Sequence, residues 1–262
     1  MIFLNGCKIE HKYFTDGTFD IKIDPSLLAE GKTNVIRWLF DTNEELIIVC
    51  YLKKHLETKG ISDVVLEMPY IPNARKDRAQ REIDVFTLKY FADILNGLHF
   101  SSVKVLDPHS MVSEALIDRI RVEWPEAYIR KVCEILADPC VIAFYPDEGA
   151  MKRYSDRIKL PYAYGSKVRD KTTRVILSLD ILGDVEMVQG SSVLMIDDIC
   201  SSGKTLCTAA KKLKEMGAKS IYVYISHCEN TVLKSELLDV ADRIFTTDSI
   251  YRGDHEKIVV LE

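Results

Sequence analysis

The chain has 262 residues, 47% of them hydrophobic and 29% charged, so it is long enough to bury one large core or two modest ones. Its formal net charge of −5 at pH 7 argues against a nucleic-acid-binding protein. No apolar run approaches the roughly 20 residues of a membrane span, and Met1–Lys12 has neither the basic opening nor the cleavage pattern of a signal peptide. We therefore expect a cytoplasmic protein that binds neither nucleic acid nor a membrane.

The seven cysteines are scattered along the chain, and no two of them form a Cys-x-x-Cys pair. An odd number without that spacing favours neither a disulfide framework nor a zinc site. We expect reduced cysteines in the core or at its boundary, at Cys7, Cys50, Cys133, Cys140, Cys200, Cys207 and Cys228.

The first half of the chain alternates helical and strand patterns. The predicted elements are, in chain order, helix Leu46–Leu56, strand Val64–Met68, helix Val85–Leu95 and strand Val103–Leu106. Such alternation is typical of an α/β fold. The short connection Trp124-Pro125-Glu126 then predicts a domain boundary between residues 1–124 and residues 125–262.

The second half repeats this plan, so we expect two similar α/β domains. Its predicted elements are helix Ile129–Leu136, strand Val141–Phe144, a turn or helix at Lys152–Arg157, and strands Val175–Leu179, Val193–Ile196, Ile221–Ile225 and Ile244–Thr246. Between the strands at Val193 and Ile221, apolar residues recur at helical spacing from Thr205 and stop at Gly217.

Two adjacent carboxylates, Asp197 and Asp198, end the apolar strand Val193–Ile196. In a strand–loop–helix unit the ligand lies at the carboxyl end of the strand, and we expect the free backbone N–H groups of Ile199 to Thr205 to surround a phosphate. Ionised carboxylates only accept hydrogen bonds, and vicinal ribose hydroxyls can donate two. The segment therefore predicts a site for ribose 5-phosphate.

Two other interpretations of this segment compete with that one. Gly203-Lys204-Thr205 ends like a Walker A loop, but the first glycine of that pattern would fall at Asp198. The segment could also be an ordinary strand, turn and helix with an acidic N-cap, in which case the two aspartates would be chance.

The segment resembles the motif for phosphoribosyl pyrophosphate (PRPP) that type I phosphoribosyltransferases share with the ribose-phosphate pyrophosphokinases. Other segments resemble the pyrophosphokinase family in particular: Phe14-Thr-Asp-Gly-Thr18, Tyr70-Ile-Pro-Asn-Ala-Arg-Lys-Asp-Arg78, Val105-Leu-Asp-Pro-His-Ser110, Pro146-Asp-Glu-Gly-Ala-Met-Lys-Arg153 and Gly165-Ser-Lys-Val-Arg169. The resemblance implies two phosphoribosyltransferase-like domains, each a mainly parallel sheet flanked by helices. It places an ATP-binding segment in residues 1–124 and the ribose 5-phosphate and PRPP site in residues 125–262, with the last residues packing back on the first domain.

The same resemblance implies a transferase of nucleotide biosynthesis, a ribose-phosphate diphosphokinase. The 1-hydroxyl of ribose 5-phosphate would attack the β-phosphorus of ATP, giving PRPP and AMP. Mg²⁺ would be the cofactor, ATP and ribose 5-phosphate the small-molecule partners, and a dimer or higher homo-oligomer the assembly.

The implied site residues fall into four groups. Lys167 and Arg169 would be catalytic, and His109 and Asp147 would hold the metal. ATP would be bound by Asp16, Gly17, Thr18, Arg75, Lys76 and His109. Ribose 5-phosphate would be bound by Arg169, Asp197, Asp198, Ser201, Ser202, Gly203, Lys204 and Thr205.

Each of these roles has a structural alternative. Asp147 could only cap a helix, and His109 could be a histidine at the core boundary. Arg75 and Lys76, with Arg78 and Arg81 nearby, could form a solvated basic face, and the polar stretch Gly165–Thr173 could be an ordinary surface loop.

The sequence also departs from the family pattern. Ser201 replaces an acid and Lys204 a glycine in the phosphate loop, Lys76 replaces glutamine, and Thr18 replaces glutamate. Two other functions stay open: a phosphoribosyltransferase of nucleotide salvage, and a non-catalytic relative that regulates a pyrophosphokinase.

Overall fold

A computed structural model describes residues 1–169 and 176–261, with side chains described for residues 1–166 and 179–261. The chain divides into two compact units, Met1–Trp124 and Pro125–Glu262. Each unit has its own large sheet. We call them unit 1 and unit 2.

Unit 1 is built on a mainly parallel sheet. Its strands are β1 (Ile2–Leu4), β2 (Cys7–Lys8), β3 (His11–Tyr13), β4 (Phe19–Ile21), β5 (Asn34–Trp38), β6 (Val64–Glu67), β7 (Ser102–Leu106) and β8 (Ile120–Glu123). Its helices are α1 (Glu45–Thr58), α2 (Thr87–Asn96) and α3 (Met111–Leu116), with a 3₁₀ turn at Pro25–Leu27. Among the described residues, six strands form the sheet in the order β2-β1-β5-β6-β7-β8, and β3 pairs with β4 as a separate hairpin. Strands β5 to β8 are parallel, whereas β1 runs antiparallel to β2 and β5.

The core of unit 1 forms where helix α1 packs on the sheet. Ile48, Leu52 and Leu56 recur every four residues, so they share one helical face, and all three are buried. They join Trp38 of β5 and Leu66 of β6 in one apolar cluster. Burying each such side chain contributes about 1.5–3 kcal/mol, so packing of this face rather than helix propensity holds α1 in place.

Unit 2 is built on a second, larger sheet. Its strands are β9 (Val141–Tyr145), β10 (Tyr162–Arg169), β11 (Ile176–Gly183), β12 (Ser192–Cys200), β13 (Ser220–Cys228), β14 (Arg243–Thr247) and β15 (Ile258–Leu261). Its helices are α4 (Glu126–Leu136), α5 (Glu148–Tyr154), α6 (Lys204–Glu215) and α7 (Leu237–Val240), with 3₁₀ turns at Val185–Met187 and Asn230–Lys234. Of the described residues, seven strands pair in the order β11-β10-β9-β12-β13-β14-β15, and all neighbours are parallel except β10 and β11.

The central strand β12 separates two apolar clusters. Val193 and Met195 face the cluster that includes helix α6, and Leu194 and Ile196 face the cluster that includes helices α4 and α5. Side chains alternate between the two faces of a strand. The two aspartates that follow Ile196 therefore leave β12 on opposite faces of the sheet.

The α/β class with mainly parallel sheets flanked by helices confirms the predicted fold. The prediction was wrong about the end of β12, because the strand continues past Ile196 to Cys200. Ile199 and Cys200 pair with His227 and Cys228 of β13, so they belong to the strand, although both also line the pocket that opens at its end. Asp197 and Asp198 end the apolar run in the sequence, but backbone pairing with β13 extends the strand two residues further, to Cys200.

The surface-loop alternative for the polar stretch Gly165–Thr173 is wrong as far as Arg169, because that part forms strand β10 and its backbone pairs with β11. Residues 170–173 lie outside the described residues. Ile258–Leu261 form the edge strand β15 of the second sheet. Packing of the final residues on the first domain stays a prediction.

Candidate active site

The loop Ser201–Gly203 joins strand β12 to helix α6 at the carboxyl edge of the second sheet. Gly203 has a positive φ of +67°, a conformation that glycine adopts without the strain of a side chain. A pocket of about 170 Å³ opens here, and the structure brings most of the predicted ribose 5-phosphate ligands together around it. Those ligands are Asp197, Ser201, Ser202, Gly203, Lys204 and Thr205.

This pocket is suited to an anion because helix α6 begins at its wall. The first hydrogen bond of the helix runs from the N–H of Cys207 to the carbonyl of Gly203, at 2.8 Å. The N–H groups of the first helical turn have no carbonyl partner within a helix, and the helix dipole places partial positive charge there. A phosphate in this pocket would meet both, together with the exposed Lys204.

Asp198 turns away from the pocket and forms an ion pair. Its Oδ2 lies 3.3 Å from Nη1 of Arg153 on helix α5, and the two side chains are 7% and 19% exposed. The guanidinium of Arg153 also lies over the ring of Tyr154, at 5.5 Å from the centroid. Arg153 is therefore a residue of this site to which the sequence analysis gave no role.

Asp197 lines the pocket, and the environment makes its carboxyl group unusually basic. Burial raises the pKa of Asp197 well above its ordinary value, and the negative charges of Asp198 and then Asp147 raise it further. Asp197 Oδ1 also accepts a hydrogen bond from the backbone N–H of Asp198, at 3.0 Å. The ionised form of such a carboxylate is stabilised by any hydrogen-bond donor or cation that enters the pocket.

Asp147 is the N-cap of helix α5. Its Oδ1 accepts a hydrogen bond from the N–H of Ala150, at 3.0 Å. The capping role therefore exists, and the charge of Asp147 also reaches Asp197. The preceding Pro146 lies against strand β10, because a Cβ at Gly165 would come within 2.8 Å of the Pro146 carbonyl oxygen. Glycine at 165 is what allows β10 to approach this loop.

Lys167 and Arg169 lie near the carboxyl end of strand β10, and their side chains are outside the described residues. Strand β10 is parallel to β9, which is parallel to β12. The carboxyl ends of parallel strands meet at one edge of a sheet. The two backbones therefore share the edge that also carries Asp147 and Asp197.

Asp16, Gly17 and Thr18, three of the residues predicted to bind ATP, form the tip of the β3–β4 hairpin in unit 1. The carboxylate of Asp16 accepts hydrogen bonds from the backbone N–H and the hydroxyl of Thr18, at 2.9 and 2.7 Å. Gly17 takes the positive φ of +82° that this turn requires. The hydrogen bonds of Thr18 lower the pKa of Asp16, so the tip carries a fixed negative charge.

The basic segment that follows β6 is partly neutralised by acids of its own unit. Lys76 and Arg81 lie 3.2 Å from the carboxylate of Asp84, whose pKa is lowered first by Arg81 and then by Lys76. Arg78 pairs with the buried Asp77, at 2.9 Å. Arg75 is exposed. Arg81 and Asp84 are three residues apart in the turn that precedes α2, and this short separation is the signal from which the pairing could have been predicted.

His109 lies close to this basic segment. It follows β7, the parallel neighbour of β6, and its charge is the smallest of the contributions that lower the pKa of Asp77, after the hydrogen bonds of Arg78 and Ser110 and the charge of Arg78. The structure thus brings together His109 and residues Arg75–Arg78, which the sequence analysis assigned to ATP. His109 is half-buried at the end of the strand.

A magnesium site made of protein ligands alone is not present in the described part of the chain. No group of three or more histidine, cysteine, aspartate or glutamate side chains lies there in a position to hold a metal ion. Mg²⁺ commonly uses one or two carboxylates together with substrate phosphates and water. The carboxylate of Asp147 could serve as one of those carboxylates.

No helix among the described residues is both long enough and apolar enough to cross a bilayer.

We compared the chain with known protein families and with curated proteins. The phosphoribosyl transferase domain family matches residues 147–259. The ribose-phosphate pyrophosphokinase of Saccharolobus solfataricus is 28% identical over 84% of this chain and 76% of its own length. That of Sulfolobus acidocaldarius is 26% identical over 97% and 88%, and ribose-phosphate pyrophosphokinase 2 of Enterococcus faecalis is 27% identical over 99% and 81%. The chain is similar to ribose-phosphate pyrophosphokinases over most of its length.

The fold comparison extends over both units. The crystal structure of phosphoribosylpyrophosphate synthetase from Mycobacterium smegmatis matches with a TM-score of 0.79 at 20% identity, covering 97% of this chain and 85% of that one. The family resemblance and the fold class stated from the sequence are both confirmed. The roles of the individual site residues stay predictions.

Proposed function

We propose that the chain is a ribose-phosphate diphosphokinase, which transfers the β,γ-diphosphoryl group of ATP to the 1-hydroxyl of ribose 5-phosphate and releases PRPP and AMP. The observation that carries this proposal is the shared pocket of Asp197 and the Ser201–Thr205 loop. A carboxylate and a phosphate-sized loop on one pocket match the two ends of a ribose 5-phosphate. Relatives with this activity in their names match the chain through both units.

On the ribose side, each group would have one task. The loop Ser201–Gly203 and the start of α6 would hold the 5-phosphate through backbone N–H groups, and Lys204 would add a positive charge. Asp197 would accept hydrogen bonds from the ribose hydroxyls, and its raised pKa makes it a stronger acceptor once it is ionised. Asp198, paired with Arg153, would hold the neighbouring peptide in place.

On the nucleotide side, Arg75, Lys76 and His109 would bind ATP, with Asp16, Gly17 and Thr18 contacting the base. Lys76 already pairs with Asp84, so it would either exchange that partner for a phosphate or share it. Lys167 and Arg169 would stabilise the charge that develops on the transferred group, where positioned cations contribute most.

Mg²⁺ would bind with ATP and neutralise phosphate charge, with Asp147 and His109 as its protein ligands. We also propose a homo-oligomer and a cytoplasmic location. The homo-oligomer is what the family resemblance implies, and the location is the expectation stated from the sequence.

The test is one assay with purified protein, Mg²⁺, ATP and ribose 5-phosphate, followed for AMP and PRPP. Equal amounts of both products would support the proposal. A salvage phosphoribosyltransferase would instead consume PRPP when a base is supplied, and a regulatory relative would do neither. Asp197→Asn should lower the activity at a limiting concentration of ribose 5-phosphate, whereas Asp239→Asn, an equivalent change at an exposed position on α7, should leave it unchanged.

A further inference from the structure

Ser235 holds the phosphate loop from the side opposite the pocket. Its hydroxyl donates a 2.7 Å hydrogen bond to the carbonyl oxygen of Ser202, at the centre of the loop. Ser235 is not one of the residues that line the pocket, whereas Ser202 and Gly203 are. The sequence analysis gave Ser235 no role, because it lies more than thirty positions along the chain from the loop.

The orientation of one peptide group follows from this hydrogen bond. A trans peptide is planar, and its C=O and N–H point in opposite directions. Because the Ser202 carbonyl points towards Ser235, the N–H of Gly203 points the other way, where it contacts the thiol of Cys200, a residue that also lines the pocket. A hydrogen bond on one side of the peptide thus presents a donor on the other.

The loop needs such a fixing contact because Gly203 is free to change conformation. Glycine populates positive and negative φ with similar ease, so the Ser202–Gly203 peptide can rotate unless something holds it. Another residue at 203 would be strained by the positive φ, and its Cβ would lie tightly against the Ser235 hydroxyl oxygen at 3.0 Å and Leu237 at 3.1 Å. The site therefore combines a flexible residue with an external hydrogen bond.

Ser235 is itself held on a firm support. Its N–H donates to the carbonyl of Val232 at 2.9 Å, and its hydroxyl oxygen accepts from the N–H of Leu237 at 3.1 Å. Val232 and Leu237 are fully buried in the core of unit 2. A second contact joins the same support to the loop, since the Thr231 and Ser201 hydroxyl oxygens lie 3.4 Å apart.

We propose that Ser235 is a positioning residue for ribose 5-phosphate: by holding the Ser202 carbonyl, it aims the Gly203 N–H at the 5-phosphate. It does not touch the substrate. The inference rests on the proposed function, because it assigns the pocket's anion to that phosphate.

The test compares Ser235→Ala with Ser235→Thr, which keeps the hydroxyl. Thr58→Ala is the matched control, because Thr58 also donates a 2.7 Å hydrogen bond to a backbone carbonyl, on α1 of unit 1. We expect Ser235→Ala to weaken ribose 5-phosphate binding and raise its KM by about three- to tenfold, the range for one hydrogen bond. The KM for ATP should change less than twofold, and Ser235→Thr should behave as the wild type.

Two measurements separate this inference from the proposed function. Calorimetric titration with ribose 5-phosphate alone needs no turnover, so it tests Ser235 even if no PRPP forms. In NMR spectra, ribose 5-phosphate should move the Gly203 amide proton downfield in the wild type and move it less in Ser235→Ala. The inference is overturned if Ser235→Ala binds as tightly as Thr58→Ala, if Ser235→Thr loses as much as alanine, or if the wild type binds no ribose 5-phosphate.

Discussion

Arg153 and Asp198 are joined by an ion pair of 3.3 Å that links helix α5 to the carboxyl end of strand β12. The pair is mostly buried, so each partner depends on the other for charge compensation. Because Asp198 is adjacent to Asp197, the pair also fixes the backbone of the residue that lines the pocket.

Arg153→Met should destabilise unit 2, because it leaves the carboxylate of Asp198 buried without its cation. We expect a loss of about 3 kcal/mol in the free energy of unfolding, the low end for a broken buried pair, since Arg153 keeps 19% exposure. Urea unfolding measures this loss. The double variant Arg153→Met with Asp198→Asn should recover part of it, and strictly additive losses would contradict the pairing.

Asp197→Asn should weaken ribose 5-phosphate binding far more than ATP binding. Losing an ionised acceptor costs about 1.5–3 kcal/mol, the range for a hydrogen bond to a charged group. Separate KM measurements for the two substrates test this. If the KM for ATP rose as much and that for ribose 5-phosphate did not, Asp197 would not be the ribose ligand.

The same variant should make the fold more stable at neutral pH. The pKa of Asp197 is raised in the folded state, so the folded chain binds a proton more tightly than the unfolded chain does. The contribution of the Asp197 carboxyl to the free energy of unfolding is fully present below its ordinary pKa of 3.8 and is lost as the pH rises through the folded-state pKa. The Tm of Asp197→Asn should therefore exceed that of the wild type at pH 7, and the difference should vanish in acid. A Tm below that of the wild type at pH 7 would argue against a buried, raised-pKa carboxyl.

Glu57→Gln should destabilise unit 1 through Lys53. Lys53 is 2% exposed, and its Nζ lies 2.6 Å from Glu57 and 5.8 Å from the centroid of the Phe100 ring. The hydrogen bonds of Lys53 and then Lys54 lower the pKa of Glu57 from 4.5 to about 2. The pair therefore stabilises the fold above pH 4.5, and this contribution is lost as the pH falls from 4.5 towards 2.

The expected loss for Glu57→Gln at pH 7 is about 1 kcal/mol, because Glu57 is partly exposed to solvent. Acid titrations of unfolding free energy would show the wild type and the variant converging as the pH falls towards 2. Glu82→Gln, at an exposed position in the same unit, is the control and should change neither the stability nor its pH dependence. Parallel wild-type and Glu57→Gln curves would contradict the assignment.

The sequence predicted the parts of the fold that depend on local periodicity. The α1 pattern at Ile48, Leu52 and Leu56 marks a helix with one apolar face, and the observed helix has that face buried. The pairing of Lys53 with Glu57 follows from their i,i+4 spacing on α1. The contacts of Arg153 and Ser235 could not be predicted, because each partner is set by tertiary packing or strand register. The predicted end of β12 at Ile196 was wrong for the same reason, since the pairing with β13 extends the strand to Cys200.

His109→Ala should raise the concentration of magnesium–ATP needed for half-maximal activity. A ligand positioned near the phosphates would be lost, and Arg75–Arg78 would hold the nucleotide without it. His55→Ala, at an exposed position on α1, is the matched control. Full activity with an unchanged magnesium dependence would return His109 to a structural role at the end of β7.

Lys167→Ala should abolish turnover while leaving substrate binding nearly intact. The backbone of Lys167 lies near the carboxyl end of β10, at the sheet edge it shares with Asp147 and Asp197. A cation that acts only on charge developing in the transition state lowers kcat and kcat/KM together. Such a group contributes about 3–4 kcal/mol, so we expect a hundred- to thousandfold loss.

The control for this change is Lys159→Ala, which removes an exposed lysine of the same unit and should leave turnover unchanged. Lys167→Arg should restore little activity, because a planar guanidinium does not replace a compact ammonium. Rapid-quench turnover and calorimetric titration of the same variant separate the two effects. A near-normal kcat, or a loss fully explained by weaker ATP binding, would remove Lys167 from the catalytic residues and leave Arg169 as the cation to test next.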